Sequence, residues 1–282
     1  MAKTEAGAEE TQSTTGALQI LLRSFRLKGF EDNYTSIAER ATQESLTYVG
    51  FLYELSKIEA QERRSRRAER RLKESRLPRD KTLATFDLGR VSSVPRQLVA
   101  QICEGSGVDS GENVLFFGNP GTGKTHLMCG IGHELVQNGR SVFFTQAYAL
   151  VQHLVAAKRD LRLPQEIRRL DRFDVILIDD LGYVQQDRAE MDVLFTLFAE
   201  RYERRSIMIT SNLIFSKWDQ IFRDAMTTAA AIDRLVHHAR ILELNVGSFR
   251  AEEAHGRRAK PRRTSGETHD AATTEAANGE KT

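Results

Sequence analysis

The stretch that decides the fold is residues 114–126, which read VLFFGNPGTGKTH. The first four residues are apolar and favour a β-strand, and residues 118–125 fill every fixed position of the phosphate-loop pattern G-x-x-x-x-G-K-[ST]. Glycines let such a loop turn tightly and aim its N–H groups inward, and the following helix adds the positive end of its dipole. A strand, a loop and a helix in this order predict a polyphosphate site rather than a chance glycine turn.

Each residue type in this loop has an expected role. Lys124 is expected to contact the β- and γ-phosphates, and the hydroxyl of Thr125 to bind Mg²⁺, which prefers hard oxygen ligands. The residues predicted to bind the nucleotide are Gly118, Asn119, Pro120, Gly121, Thr122, Gly123, Lys124, Thr125 and His126.

Strands and helices alternate after the loop. We predict a helix that ends at Asn138 before Gly139, helices over residues 147–158 and 187–204, and strands over residues 141–145, 174–178, 206–210 and 241–244. Continuous apolar strands separated by helices are typical of a parallel sheet that is covered on both faces. The sequence therefore predicts an α/β fold with a parallel five-stranded sheet, in which ligands bind at the carboxyl ends of the strands.

Polar side chains follow two of the predicted strands. Asp179 and Asp180 come directly after the strand at 174–178, and Asn212 comes shortly after the strand at 206–210. We expect Asp179 to be a partner of Mg²⁺, Asp180 to orient or deprotonate the attacking water, and Asn212 to contact the γ-phosphate. Without the phosphate loop, the same residues would read as ordinary turns rich in Asp and Asn.

Phosphoryl transfer needs additional positive charge on the transition state, and an arginine from a neighbouring subunit can supply it. Arg234, on a predicted helix before the last strand, is the candidate for this arginine finger, and Arg201 is the reserve. The alternative for Arg234 is a surface ion pair between Asp233 and Arg234 or their neighbours. His237 and His238 are adjacent, so they are expected to point different ways on a helix; no third ligand supports a metal, and they are expected to be structural.

The remaining chain divides by composition. Residues 1–15 and 251–282 hold almost no large apolar residues and are predicted to be disordered, the latter as a basic tail. Residues 16–77 have a helical pattern and are predicted to form a small all-helical N-terminal domain before the nucleotide-binding domain at 78–250. Its third helix, with Ser45 as the expected cap, carries on one face Leu46, Val49, Leu52, Tyr53 and Ser56.

Positive charge is clustered although the net charge is only +2. Residues 61–81 contain ten Lys or Arg against four acidic residues, and a second basic stretch begins at Lys158. The alternative is a solvated helix with ion pairs such as Glu62 with Arg66. Clustered cations favour contact with the phosphates of nucleic acid, and the predicted DNA-binding residues are Arg63, Arg64, Arg66, Arg67, Arg70, Arg71, Lys158 and Arg162.

The composition places further limits on the class of protein. Apolar residues make up 40% of the 282, which is enough for a proper core. Cys103 and Cys129 have no metal or disulfide spacing, so both are expected to be small buried hydrophobic residues. The N-terminus has no apolar leader segment, and no run approaches the ~18 apolar residues of a membrane span. We therefore expect a cytoplasmic protein.

Four stretches together resemble a known family: GNPGTGKTHL, DVILIDDLGY, ITSNLIFSKWDQIF and AIDRLVHHARILEL. Over about residues 17–250 the chain is similar to the IstB-like ATPases of IS21-type transposable elements, which are AAA+ P-loop NTPases related to bacterial helicase loaders. The resemblance implies an ATPase with ATP and Mg²⁺ as cofactors that oligomerises on duplex DNA and activates a partner, an IstA-like transposase. It also implies the roles given above for Lys124, Asp179, Asp180, Asn212 and Arg234.

The resemblance leaves two features and one alternative open. Many AAA+ proteins have Glu where this chain has Asp180, and the shorter side chain predicts slow turnover. A second sensor arginine is not assigned, although Arg250 is a candidate. A replicative helicase loader of the DnaC type would share the same ATPase core. A small-molecule kinase would leave Asn212, Arg234 and the basic clusters unexplained.

Overall fold

The computed structural model of the chain describes residues 14–182, 188–213, 218 and 232–249. The tail predicted at 251–282 and all but two residues of the segment predicted at 1–15 lie outside these ranges, as does Arg250. No helix within the described ranges is long and apolar enough to cross a membrane.

The described part of the chain starts with three helices, which are α1 over residues 14–24, α2 (Lys28–Gln43) and α3 (Tyr48–Ser75). α2 packs on α3 where Gly29 meets Glu59: a Cβ on Gly29 would lie 2.8 Å from the Cα of Glu59. The N–H of Gly29 also donates to the Glu59 carboxylate at 2.7 Å. This hydrogen bond satisfies a first-turn N–H that α2 itself cannot pair.

The cap of α3 was predicted at the wrong residue. The hydroxyl of Thr47, not of Ser45, accepts a hydrogen bond from the N–H of Gly50 at 3.1 Å. Ser45 has a left-handed backbone with φ of +51°, whereas an N-cap needs the extended backbone that Thr47 has. α3 also runs through most of the basic stretch and ends at Ser75. The next residue, Arg76, places its guanidinium 5.2 Å from the ring centroid of Phe143.

A connecting segment leads from α3 to the sheet. It contains two 3₁₀ turns, Leu83–Thr85 and Leu88–Arg90, and then α4 (Arg96–Glu104) and α5 (Ser106–Asp109). The five strands are β1 (Asn113–Phe117), β2 (Val142–Gln146), β3 (Val175–Asp179), β4 (Ser206–Ser211) and β5 (Ala239–Glu243). The helices between them are α6 (Lys124–Gln137), α7 (Ala147–Arg159), α8 (Leu163–Leu170), α9 (Arg188–Arg201) and α10 over residues 232–236.

All pairs in the sheet are parallel, and the strand order is β2-β3-β4-β1-β5. This confirms the predicted parallel five-stranded sheet with helices on its faces. Alternate residues of β3 enter two different cores: Val175 and Leu177 join the one formed with α4 and α6, while Ile176 and Ile178 join the one formed with α7 and α9. Burial on both faces explains why the strand is apolar without alternation.

The two cysteines differ. Cys129 of α6 is fully buried, as predicted, and burial raises the pKa of its thiol to about 12. Cys103 near the end of α4 is only partly buried, so the prediction was wrong in degree for this residue. Its pKa is also raised to about 12, mainly by burial.

Candidate functional site

A cleft of about 400 Å³ lies at the carboxyl ends of the strands. One wall is the phosphate loop and the start of α6, and the other is the connecting segment before α4. The cleft is lined by Lys81, Thr85, Phe86, Asp87, Arg90, Pro120, Gly121, Gly123, Lys124, Thr125, His126, Asp180, Asn212 and Phe249. The structure thus brings together the phosphate loop and the residues that follow β3 and β4.

Two glycines of the loop have conformations and contacts that exclude a side chain. Gly118 has φ of +153°, and a Cβ there would lie 2.6 Å from the carbonyl oxygen of Leu244. Gly123 has φ of +90°, and a Cβ there would lie 2.7 Å from the ring of Phe86. The loop therefore packs directly against the segment after β5 on one side and against the connecting segment on the other.

Lys124 is buried inside the loop. Its Nζ donates to the carbonyl oxygens of Gly118 at 2.8 Å and of Asn119 at 2.9 Å. Thr122 is also buried, and its hydroxyl donates to the same carbonyl of Asn119 at 2.9 Å. The ammonium is therefore held in the concave face of the loop, where phosphate oxygens would be better partners than neutral carbonyls.

A network of hydroxyls and one carboxylate joins the loop to the strand ends. Asp179 accepts hydrogen bonds on the same oxygen from the hydroxyls of Thr125 and Thr210, both at 2.7 Å. The hydroxyl of Thr210 in turn accepts the N–H of Asp180 at 2.8 Å. Thr125 and Asp179, predicted to serve Mg²⁺, are therefore in direct contact, and their oxygens are of the hard kind that this ion prefers.

Thr210 was not among the predicted site residues. It is fully buried, and its single hydroxyl fixes both Asp179 and the backbone of Asp180. The position of Thr210 could have been found by aligning the ends of β3 and β4, because the pairing of Ile178 with Ile209 puts Thr210 beside Asp179.

Asp180 and Asn212 both line the cleft. Asp180 has an exposed side chain and a left-handed backbone with φ of +59°, a conformation that costs energy in residues other than glycine. The Oδ1 of Asn212 is buried and has no hydrogen-bond partner in the described part of the chain. A buried, unsatisfied amide oxygen beside the cleft fits a residue that completes its hydrogen bonds only when a ligand or its water is bound.

His126 links the loop helix to the connecting segment. Its Nε2 lies 2.9 Å from the hydroxyl of Thr85 and 3.1 Å from the carbonyl oxygen of Thr82, and its ring is 5.2 Å from that of Phe86. It lines the cleft, and its polar contacts are with protein groups.

A second part of the lining was missed by sequence reasoning. The guanidinium carbon of Arg90 lies 4.2 Å from the ring centroid of Phe249, whose own N–H donates to the carbonyl oxygen of Gly121 at 3.0 Å. The ring of Phe86 is 6.3 Å from that of Phe249. These residues are far apart in the chain and belong to no motif, so only the fold shows that they share a wall.

The two arginines considered for the finger have different positions. Arg201 is buried and donates to four carbonyl oxygens, of Leu170, Phe173, Asp174 and Ser206, at 3.0 to 3.2 Å. Burial lowers its pKa to about 10. The prediction of Arg201 as the reserve arginine finger was therefore wrong, because its guanidinium binds backbone carbonyls at the ends of α8, β3 and β4.

Arg234 does not line the cleft of its own subunit. Asn113, at the start of β1, donates to the backbone of Leu235 at 3.1 Å, so α10 lies at the end of β1 opposite the phosphate loop. The guanidinium stacks 4.6 Å from the ring centroid of Phe195, and its NH1 is buried with no hydrogen-bond partner among the described residues. The ion pair considered with Asp233 is not present within the described ranges.

The prediction that the two histidines point different ways was wrong. His237 and His238 do not point apart: their ring centroids are 4.2 Å from each other, and the carboxylate of Glu203 lies 3.9 Å and 3.3 Å from their nitrogens. Glu203 is therefore a third group with ligating chemistry, contributed by the turn after α9. Tyr202 is also within 2.9 Å of His237.

The predicted DNA-binding arginines of α3 divide into paired and unpaired residues. Arg63 contacts the buried Glu59 at 2.5 Å, and Arg66 contacts Glu62 at 3.2 Å, as the alternative interpretation expected. The other pairs are Arg70 with Glu74 at 3.9 Å and Arg71 with the carbonyl of Gly139. Arg64 and Arg67 are exposed and form no ion pair with any residue that the structure describes.

The second basic cluster lies around the turn between α7 and α8. Lys158 contacts Asp192 at 3.2 Å, and Arg162 pairs with Asp160. Both cations are exposed at the surface. They lie on a different element from the arginines of α3, so the predicted DNA-binding residues form two separate groups.

A phosphate loop on a parallel sheet, with hydroxyl and carboxylate groups at the neighbouring strand ends, is the arrangement of a P-loop nucleotide-binding fold. Solved structures agree on the fold. AMPPCP-bound DnaA from Aquifex aeolicus matches with a TM-score of 0.52 and 20% identity over 67% of this chain and 59% of that chain. DnaI matches with a TM-score of 0.51 and 20% identity over 60% of this chain and 94% of that chain.

Sequence comparison gives the family. The chain is 45% identical to an insertion-sequence ATP-binding protein of Sinorhizobium fredii, over 86% of this chain and 83% of that protein. It is 34% identical to the IS21 ATP-binding protein of Pseudomonas aeruginosa, over 84% and 89% of the two chains. The family model described as IstB-like ATP binding protein matches residues 20–256, and the chain belongs to this family.

Proposed function

We propose that this protein is an ATPase that assembles on duplex DNA with ATP and Mg²⁺ and activates a partner transposase for target selection and insertion. The observation that carries the catalytic part is the chain of contacts from Thr125 through Asp179 and Thr210 to Asp180, beside the buried ammonium of Lys124. The insertion-sequence relatives support the transposition context.

The proposed binding step uses the loop. The triphosphate lies along the backbone N–H groups and the start of α6, and Lys124 exchanges its carbonyl partners for the β- and γ-phosphates. Thr125 and Asp179 would hold Mg²⁺, which supplies positive charge for the phosphate oxygens. Thr210 keeps Asp179 in position through its hydroxyl.

The proposed hydrolysis step uses Asp180 and Asn212. Asp180 accepts the proton of the attacking water, and the Oδ1 of Asn212, unsatisfied among the described residues, accepts a hydrogen bond from that water. The products are ADP and phosphate. The short side chain of Asp180 is expected to make turnover slow.

Arg234 is proposed to act on the nucleotide of a neighbouring subunit. Its helix lies at the end of β1 away from the phosphate loop, so it is placed on a different side of the subunit from its own cleft. An interface that joins two unlike sides of identical subunits can repeat along DNA and build a ring or a helix. The exposed cations of α3 and of the α7–α8 turn would then contact phosphates of the duplex.

Electron microscopy of the protein with duplex DNA, Mg²⁺ and a non-hydrolysable ATP analogue tests this function. We expect subunits arrayed along the duplex, each with its neighbour's Arg234 at its cleft. Subunits that remain monomeric with saturating nucleotide and Mg²⁺ would contradict the proposal. A complex that forms only with a helicase ring would favour a helicase loader instead.

A further inference from the structure

The turn between α7 and α8 exposes a leucine in a strained conformation. The N–H of Arg162 donates to the carbonyl of Ala157 at 2.7 Å, and the N–H of Leu161 to that of Lys158 at 3.1 Å. These two bonds are the Schellman motif, which places one residue after the helix in the left-handed conformation. Here this residue is Leu161, with φ of +57° and a side chain that is 89% exposed.

The same motif ends α6 in the usual way. Gly139 occupies the left-handed position there with φ of +84°, and the N–H groups of Gly139 and Arg140 make the equivalent bonds. Glycine has no Cβ to clash in this conformation, whereas leucine does. Arg76 has a similar φ after α3, but its guanidinium stacks on Phe143 and so contributes to the fold. Leu161 is almost fully exposed and makes no comparable packing contact among the described residues of its own subunit.

The surroundings of Leu161 are strongly basic. Residues 158–172 contain six Lys or Arg and three acidic residues. Arg159, Arg168 and Arg172 are exposed and make no ion pair within the part of the chain that the structure describes. Lys158 and Arg159 also line an open groove of about 380 Å³ between α7 and the start of α9. An exposed apolar side chain next to Arg159, in a segment rich in cations, complements a surface on which phosphates flank apolar base faces.

We propose that Leu161 is an apolar wedge that contacts the bases of duplex DNA while the cations beside it contact the phosphates. Apolar side chains of this kind insert at base steps from the minor groove and partly unstack them. This proposal rests on the proposed DNA-binding function. It adds a residue whose contact depends on how easily the duplex deforms. The strained backbone fits this role because strain persists where function requires a particular side chain.

Duplex DNA containing 2-aminopurine, whose fluorescence rises on unstacking, tests the wedge with the full-length protein, ATP analogue and Mg²⁺. We expect the wild-type protein to increase the fluorescence. Leu161→Asn should remove the increase and weaken DNA binding about three- to tenfold, because it deletes apolar contact at the base step. The dependence of affinity on salt should keep its slope, because no charge changes.

Two controls keep folding separate from DNA contact. Asparagine tolerates the left-handed conformation, so the melting temperature of Leu161→Asn should be equal to or above that of the wild type. Leu161→Phe should retain the fluorescence increase because its ring can also enter the stack. If Leu161→Asn gave the wild-type fluorescence and affinity, or lost only binding to a protein partner, the wedge would be overturned. Failure of the wild-type protein to bind duplex DNA would overturn the proposed function as well.

Discussion

The strand-end cleft and the N-terminal helices differ in which side chains they bury. At the cleft, Asp179, Thr210 and Lys124 are buried and each is hydrogen-bonded within the fold. On α3, by contrast, large apolar side chains such as Tyr48 and Val49 lie in water, and Leu55 and Glu59 are buried. The polar groups at the cleft find their partners inside the fold, whereas the exposed apolar groups of α3 are not explained by the single chain.

The largest expected effect is at the cleft. Lys124→Ala removes the ammonium that the loop holds at its concave face, and we expect nucleotide affinity to fall by at least about a hundredfold, with no measurable hydrolysis. Titration with a fluorescent ATP analogue and a phosphate-release assay measure both. Lys57→Ala is the matched control, because Lys57 is an exposed lysine paired with Glu54. If Lys124→Ala bound the nucleotide with wild-type affinity, the loop would not be part of the nucleotide site.

Two leucines of α3 sharpen the contrast within the N-terminal helices. Leu55 is 2% exposed and Leu52 is 55% exposed. Leu55→Ala should lower the free energy of unfolding of these helices by about 2–4 kcal/mol, because it leaves a cavity. Leu52→Ala should change it by no more than about 0.5 kcal/mol. Hydrogen exchange of α2 and α3 measures both, and equal losses would show that the face bearing Leu52 is covered in solution.

Thr210→Val probes the network that fixes the strand ends. Valine keeps the shape but leaves the N–H of Asp180 without its partner and Asp179 with one donor fewer. We expect a loss of about 1–3 kcal/mol in stability and a lower kcat for ATP at saturating Mg²⁺. Thr196→Val is the control, since the hydroxyl of Thr196 donates to the carbonyl of Asp192 in its own helix. An unchanged kcat would mean that Asp180 does not depend on this support.

The smallest effect concerns the arginines of α3. Replacing Arg64 and Arg67 with Gln should flatten the salt dependence of DNA binding by about two units of slope, roughly one for each lost phosphate contact. Replacing Arg63 should change the slope less, because Glu59 already neutralises its charge. DNA affinity measured across a salt series decides this. Equal slopes for all the variants would exclude α3 from the DNA contact.

Sequence reasoning predicted the sheet, the phosphate loop and the strand-end carboxylates because these follow from periodicity and from a motif with fixed spacing. It missed Thr210, whose position beside Asp179 depends on the strand register. It also missed Arg90 and Phe249, which meet at the cleft although they are far apart in the chain. It also assigned the reserve finger to Arg201, since nothing in the sequence shows that this charge is buried among carbonyls. The positions of such residues depend on long-range packing, which no local pattern in a single sequence shows.

The central claim is that ATP at Lys124 joins subunits through Arg234. Mixing Arg234→Ala with Asp180→Asn tests it most directly. The first variant keeps an intact cleft, and the second keeps an intact arginine finger. Each variant alone should be inactive, and a 1:1 mixture on DNA should regain about a quarter of wild-type turnover, the share of interfaces that combine an intact cleft with an intact arginine. No restored turnover at any ratio would contradict the claim.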